Sequence, residues 1–299
     1  MAQATPSLKS PSTKAKRSAL YVPGANVKAL NKAACLAADC LIFDLEDAVA
    51  PAMKEVARDN VITALQENDY GTKEVVVRIN ADKQWAQDDI AALNNFVNAL
   101  QGTTQLAGAL VPKIDTTDLI IKTRQALAPA LDLWMMIETT AAIINIAPLT
   151  KGAAQHKVAC FVMGTNDLSK ELRAHIVAGR HPLLPALSQV LMAARHYDMA
   201  VLDGVYNDID NDEGFACEAQ QGLEMGFDGK TLIHPRQIEP CNLAFTPSAD
   251  EIAEAQLIIA AFAAPENAGA GVLRVNGKMV EILHRDNALR ILALANETL

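Results

Sequence analysis

Short apolar runs of strand type recur along the chain at spacings that leave room for a helix between each pair. They are "SALYVPG" from residue 18, "CLIFDLE" from 40, "EVVVRIN" from 74 and "GALVPKI" from 108, then "LWMMIET" from 133, "VACFVMG" from 158, "MAVLDGV" from 199 and "KTLIHP" from 230. The segments between them are Ala/Leu-rich with helical spacing, as in "NVKALNKAACLAA" and "LLPALSQVLMAARHYD". Strands that are apolar on both faces and alternate with helices predict a parallel sheet covered on both sides. Eight such units predict a (β/α)8 TIM barrel over residues 18–245. The rival, a doubly wound open sheet, lacks a G-x-G-x-x-G after the first strand. Residues 246–299 continue beyond the eighth unit. "TPSADEIAEAQLIIAAFAA" predicts a capped amphipathic helix, "GAGVLRVNGKMVEI" a hairpin turning at Asn276-Gly277, and "RDNALRILALANETL" a closing helix. Residues 1–17 are predicted to be a disordered tail.

The polar residues gather where these strands end. Asp44, Glu46 and Asp47 follow strand two, Arg78 ends strand three, Lys113 follows strand four and Glu138 strand five. Asn166 and Asp167 follow strand six after Gly164, Asp203 ends strand seven, and His234 follows strand eight. In a barrel these ends share one rim, where active sites are built. Taken singly each has a plain alternative: Asp167 caps a helix, or Arg78 pairs with a barrel carboxylate. Together they point to a site. Carboxylates from separate strands suit a hard divalent cation that takes one or two of them and keeps several waters. Arg78 offers a planar fork for a substrate carboxylate. A metal beside an arginine would bind a 2-oxo acid and stabilise an enolate or alkoxide. Lys113 is a Schiff-base candidate, with an electrostatic role favoured by the surrounding carboxylates.

Composition narrows the partners. The formal net charge is −9 with no Lys/Arg cluster, which argues against nucleic acid or an anionic membrane. Five scattered cysteines without a C-x-x-C argue against a zinc site and for reduced thiols. No apolar run approaches a bilayer span and the leader "MAQATPSLKSPSTKAK" lacks a signal's apolar core, so the expected location is cytoplasmic.

The stretches "YVPGAN", "LIFDLEDAVAP", "VVVRIN", "LVPKID", "MIETTAAI", "GTNDLSKEL", "LDGVYNDIDNDEGF" and "GFDGKTLIHPRQI" carry a resemblance. The chain resembles the citrate lyase beta-subunit-like group of the HpcH/HpaI aldolase superfamily, which includes malyl-CoA and citramalyl-CoA lyases. The resemblance implies a homotrimeric or homohexameric barrel enzyme that breaks or forms a carbon–carbon bond in a CoA thioester. It implies Mg2+, or Mn2+ in its place, on Glu138 and Asp167, with Glu46 and Asp47 holding the cation's waters. Arg78 would grip glyoxylate or pyruvate, with Asn166 beside it. Tyr21, Val22, Asn26, Lys32, Ile233 and His234 would contact the CoA ester. Asn26 stands where arginine is common in the group, with Lys28 nearby. The extension would form a lid over a neighbouring subunit's site. There "GKMVE" places Glu281 where the pattern has an aspartate that moves a proton at the acyl carbon. A thioesterase acting on the same esters and a beta subunit of a citrate lyase complex are the alternative activities.

Overall fold

The computed structural model describes residues 14–100 and 105–298; most of the predicted tail, residues 1–13, lies outside the described residues. Eight parallel strands close in sequence order into a barrel: β1 (Ser18–Pro23), β2 (Cys40–Asp44), β3 (Glu74–Arg78), β4 (Leu106–Val111), β5 (Asp132–Ile137), β6 (Val158–Met163), β7 (Ala200–Asp203) and β8 (Gly229–Leu232). β8 pairs with β1 through Ser18↔Lys230 and Leu20↔Leu232. The helices outside it are α1 (Val27–Ala33), α2 (Lys54–Glu67), α3 (Lys83–Ala99), α4 (Thr117–Ala126), α5 (Thr140–Ile144), α6 (Ile146–Gln155), α7 (Thr165–Leu172), α8 (Leu184–Arg195), α9 (Asp212–Met225) and α10 (Ile238–Phe245). The TIM-barrel reading holds. Strand side chains alternate between the barrel interior and the helix layer. Ala19, Cys40, Ile42, Val76, Leu110, Trp134, Met136, Cys160, Val162 and Leu202 fill the interior. Small Ala and Cys side chains there leave room for the Trp134 indole.

Two sequence expectations change at the strand ends. The predicted tail extends to residue 17, but Lys16 and Arg17 are built into the N-terminal end of the barrel. Lys16 is buried in an ion pair with Glu74, its ammonium 5.2 Å from the Trp134 ring centroid. The Arg17 side chain donates to both Asp39 oxygens at 2.8 Å. Asp203, read as a rim carboxylate, belongs to the outer layer. Leu202 fills the interior, so the next residue faces the helices. There Arg180 Nη1 donates to both Asp203 oxygens at 2.7 and 2.8 Å. Lys230 Nζ donates to Asp203 Oδ2 at 3.0 Å and to Glu218 Oε1 at 2.8 Å.

The chain divides into two compact units, the barrel over Lys16–Ala244 and a second beginning at Phe245. In the second unit, α11 (Ala249–Ala263) starts at a reciprocal cap between Ser248 and Glu251. β9 (Val272–Val275) and β10 (Lys278–Glu281) pair antiparallel around Asn276 and Gly277, at φ +47° and +82°. Positive φ at both central residues is what a type I′ hairpin turn requires, and Asn-Gly supplies it. α12 runs Ile282–Thr298, starting three residues before the predicted "RDNALR" helix. Ala255, Ile258, Val280 and Ala288 form this unit's core.

Lys230 and Asp203 are both fully buried. Removing one partner of a buried ion pair strands the other, so Lys230→Met should cost about 3–5 kcal/mol. Urea denaturation reads this as a lower midpoint at unchanged slope; a loss under about 1 kcal/mol would show that the network adds nothing to stability.

Candidate active site

At the C-terminal rim, Asp44 and Arg78 are register partners on β2 and β3. Arg78 Nε donates to Asp44 Oδ1 at 2.7 Å and Nη2 to Oδ2 at 2.6 Å. The fork expected to grip a substrate carboxylate is thus engaged by Asp44, the barrel-carboxylate alternative. Asp44, expected to support the metal, instead clamps Arg78 and the turn after it, accepting from Glu46 N–H at 2.8 Å and Ala48 N–H at 3.2 Å. What Arg78 presents to the rim is Nη1. It stands 3.1 Å from Glu46 Oε2 and 3.4 Å from Asp47 Oδ2. The Tyr21 ring lies 4.9 Å from the guanidinium carbon, and both residues approach the Met136 sulfur.

Lys113 joins the other carboxylates. It sits at positive φ, +52°, a conformation that costs a residue with a side chain about 1 kcal/mol. Its N–H donates to Glu138 Oε1 at 2.7 Å, and its Nζ donates to Glu46 Oε1 at 2.8 Å and stands 4.0 Å from Asp167 Oδ2. Burial opposes the Lys113 charge, but the hydrogen bond to Glu46 and the Glu46, Glu138 and Asp47 charges outweigh it and hold the ammonium above its ordinary pKa. That direction disfavours the neutral amine that a Schiff base needs, in keeping with the electrostatic alternative for Lys113. Glu138 lies against Gly164, where a Cβ would collide with its side chain. Asp167 is half-buried in the first turn of α7.

Asp44, Glu46, Asp47, Glu138 and Asp167 stand against the cations Arg78, Lys113 and Lys54, an excess of two negative charges when all are ionised. The strain shows. Burial pushes the Glu138 carboxyl up to about 7, opposed by the Lys113 N–H and reinforced by the Glu46 and Asp167 charges. Burial also raises Glu46, against Arg78 and Lys113. Glu46 Oε2 is buried with no hydrogen bond. Among the described residues no three His, Cys, Asp or Glu side chains converge as a closed metal cage. An excess of carboxylates, with Glu46 Oε2 met only by the Arg78 Nη1 ion pair, fits a cation that takes one or two carboxylates and keeps its waters.

The structure does not bring the remaining predicted residues into this cluster. Val22 is buried with its side chain in the helix layer, so only its backbone is open to a ligand. Asn26 caps α1, accepting from Ala29 N–H at 3.1 Å. Lys28 and Lys32 are exposed one turn apart on that helix, a local basic face inside an acidic chain. The amide of Asn166 is paired reciprocally with Asn207 at 3.1 and 2.7 Å. Ile233 is exposed, and His234 Nδ1 accepts from Arg236 N–H at 3.2 Å. Glu281 ends β10 of the second unit, its N–H donating to His284 Nδ1 at 2.9 Å. Sequence reading missed Met136, Asn207 and Lys54; the first two carried no signal, since an apolar strand residue and a loop amide are ordinary.

Over residues 17–235 the chain matches the family model for HpcH/HpaI aldolase/citrate lyase. It is 43% identical over 281 residues to a (3S)-malyl-CoA thioesterase of Cereibacter sphaeroides, covering 93% of this chain and 94% of the relative. It is 33% identical over 292 residues to the citrate lyase subunit beta of Leuconostoc mesenteroides subsp. cremoris, covering 94% and 93%. Among solved structures, protein CitE of Mycobacterium tuberculosis in complex with magnesium, acetoacetate and coenzyme A matches with a TM-score of 0.77 at 28% identity. That likeness covers 95% of this chain and 100% of the other.

The raised Glu138 pKa has a pH signature. Its folded value of about 7 exceeds the unfolded one, so its contribution to stability is present below pH ~4.3 and is lost as pH rises through about 7. In chelator, Glu138→Gln should therefore gain on the wild type across that window, reaching about 1–3 kcal/mol by pH 8. Paired thermal melts from pH 4.5 to 8 measure this. A gap that fails to widen with pH would mean that Glu138 ionises without strain.

Proposed function

The chain belongs to the HpcH/HpaI aldolase/citrate lyase family, and from that membership we propose a Mg2+-dependent lyase acting on a 3-hydroxyacyl-CoA of the malyl-, methylmalyl- or citramalyl-CoA type. The products are an acyl-CoA and a 2-oxo acid, glyoxylate or pyruvate. The observation that carries the reading is the doubly anionic rim, where Glu46, Glu138 and Asp167 all approach the one residue Lys113. The complex of protein CitE with magnesium, acetoacetate and coenzyme A supports it.

Glu138 and Asp167 would hold the cation, and Glu46 and Asp47 would orient the waters beside it. When bound, Mg2+ supplies Lewis-acid polarisation of the 2-oxo acid oxygens. Arg78 Nη1 would meet the substrate carboxylate, a single-atom contact because its other two nitrogens hold Asp44. Lys113, held protonated, offsets negative charge developing on the same side. Lys28 and Lys32 face the CoA phosphates. In cleavage the 3-hydroxyl would give its proton to a rim carboxylate as its carbon becomes a carbonyl, the bond to the alpha carbon would break with its electron pair left on that carbon, and that carbon would gain a proton from the Glu281 position. Glu281 would come from a neighbouring subunit of a homotrimer or homohexamer.

A second reading rests on the 43% identity to a malyl-CoA thioesterase. With the same metal and carboxylates, water would attack the thioester carbonyl and expel CoA thiol. Products separate the two. On malyl-CoA the lyase releases glyoxylate and acetyl-CoA in equal amounts with no free thiol, and EDTA abolishes turnover. Malate and thiol without glyoxylate would replace the lyase with the thioesterase, and full turnover in EDTA would exclude the metal from both.

Glu281→Gln should lower lyase turnover by roughly 10²–10⁴-fold, the range for a positioned acid–base group, while ester binding and melting temperature hold. Mixed oligomers of Arg78→Ala and Glu281→Gln subunits should regain part of the activity, because some sites would draw both intact residues from different chains. Near-normal turnover by Glu281→Gln would remove its proton-transfer role.

A further inference from the structure

Lys54 occupies a costly place. It is the first residue of α2, where the helix dipole disfavours a cation, and its side chain is only 6% exposed in a layer where lysine is rare. The ammonium does not point to solvent. It turns back to the turn after β2 and donates to Leu45 O at 2.8 Å and Glu46 O at 2.6 Å. Trp85, in the first turn of α3, stacks over the same ammonium with its ring centroid 5.4 Å away. A cation placed against the dipole and out of water needs such compensation.

The two carbonyls belong to the turn that carries Glu46 and Asp47 to the rim. That turn is tied at its other end by Asp44, which accepts from the Glu46 and Ala48 N–H groups, and Val49 N–H closes it onto Glu46 O at 3.0 Å. Asp44 fixes the amide side of the turn and Lys54 its carbonyl side. Between these anchors the Glu46 carboxylate reaches Lys113 across the rim and lies beside Arg78 Nη1. Lys54 touches none of the groups that would meet substrate. We infer that Lys54 is a positioning residue of the active site, clamping the carbonyls of Leu45 and Glu46 so that the Glu46 and Asp47 carboxylates are held where the reaction needs them. For its kinetic consequence this rests on the proposed function; its structural consequence stands without it.

Lys54→Met keeps the hydrocarbon stem under Trp85 and removes the donor, and Lys54→Arg returns a donor of similar reach. The Asp44 anchors remain, so the Met variant should fold. In hydrogen exchange of the intact protein, the Ala48 and Val49 amides should exchange about 10-fold or more faster than in wild type, with the β1 and β8 amides unchanged. Turnover should fall by about 10–100-fold while KM for the CoA ester moves less than about 3-fold, because misplacement by a fraction of an ångström penalises the chemical step more than binding. Lys54→Arg should recover most of both. A folded Lys54→Met with wild-type exchange at Ala48 and Val49, or with wild-type kcat, would overturn the inference, as would a loss of turnover that only tracks the unfolded fraction. If wild type turns over no hydroxyacyl-CoA ester, the proposed reaction fails and the exchange measurement alone decides Lys54. If Lys54→Met does not fold, Lys54→Arg decides: wild-type protection and kcat uphold the clamp, and loss of either in a folded protein rejects it.

Discussion

Asp44 and Arg78 are partners in strand register and in charge, and their two parallel hydrogen bonds set the geometry of the rim. A bidentate pair fixes both planes at once, which a single ion contact would not do. With Arg78 so oriented, its third nitrogen can point only toward Glu46, Asp47 and the barrel mouth. With Asp44 so oriented, its remaining lone pairs capture the amides of the next turn. Tyr21 adds its ring face to the guanidinium from β1. One pair therefore places residues from three strands and the turn that follows the second.

That order has an electrostatic cost, concentrated on Glu138. Its neighbours include two carboxylates and one ammonium, and burial removes the water that would otherwise screen them. Its raised pKa is the visible part of the cost. A divalent cation would remove it by matching the rim's excess charge, and lower the carboxyl pKa as it does so. The same carboxylates favour the charged form of Lys113 and so disfavour the neutral amine that a nucleophilic lysine needs.

Much of this was legible in the sequence, and the limits are physical. The strands were readable because a parallel barrel buries both faces, so each appears as an unbroken apolar run. The Asn276-Gly277 hairpin was readable because few residue pairs tolerate two positive φ values. Strand ends could be located, but which way each polar residue faces depends on parity that shifts by one residue. Asp203 was therefore placed on the rim when it faces α9, and Asp44 was read as metal support when Arg78 claims it. Lys16 and Arg17 looked like tail because two charged residues before a strand give no sign of partners as far along the chain as Glu74 and Asp39. Lys54 left one faint mark, a cation at a helix start where acids are preferred, and nothing in the sequence names the carbonyls it holds.

Two buried charge networks lie on either side of the barrel wall, and their difference locates the chemistry. On the outer side two anions, Asp203 and Glu218, face two cations, Arg180 and Lys230, so the charges balance and the network holds helix to sheet, although Arg180 Nη2 is left without a hydrogen bond. On the inner side five carboxylates face three cations, Arg78, Lys113 and Lys54. A local excess of buried charge is tolerated in a native fold where something binds. Such a rim would be indifferent to whether a carbon–carbon bond or a thioester breaks, because both proposed reactions would build negative charge on oxygens of a CoA ester beside the same cations. What separates them is the delivery of a proton to carbon or of water to the carbonyl. In the proposed reaction that choice would fall to groups outside the network, such as Glu281.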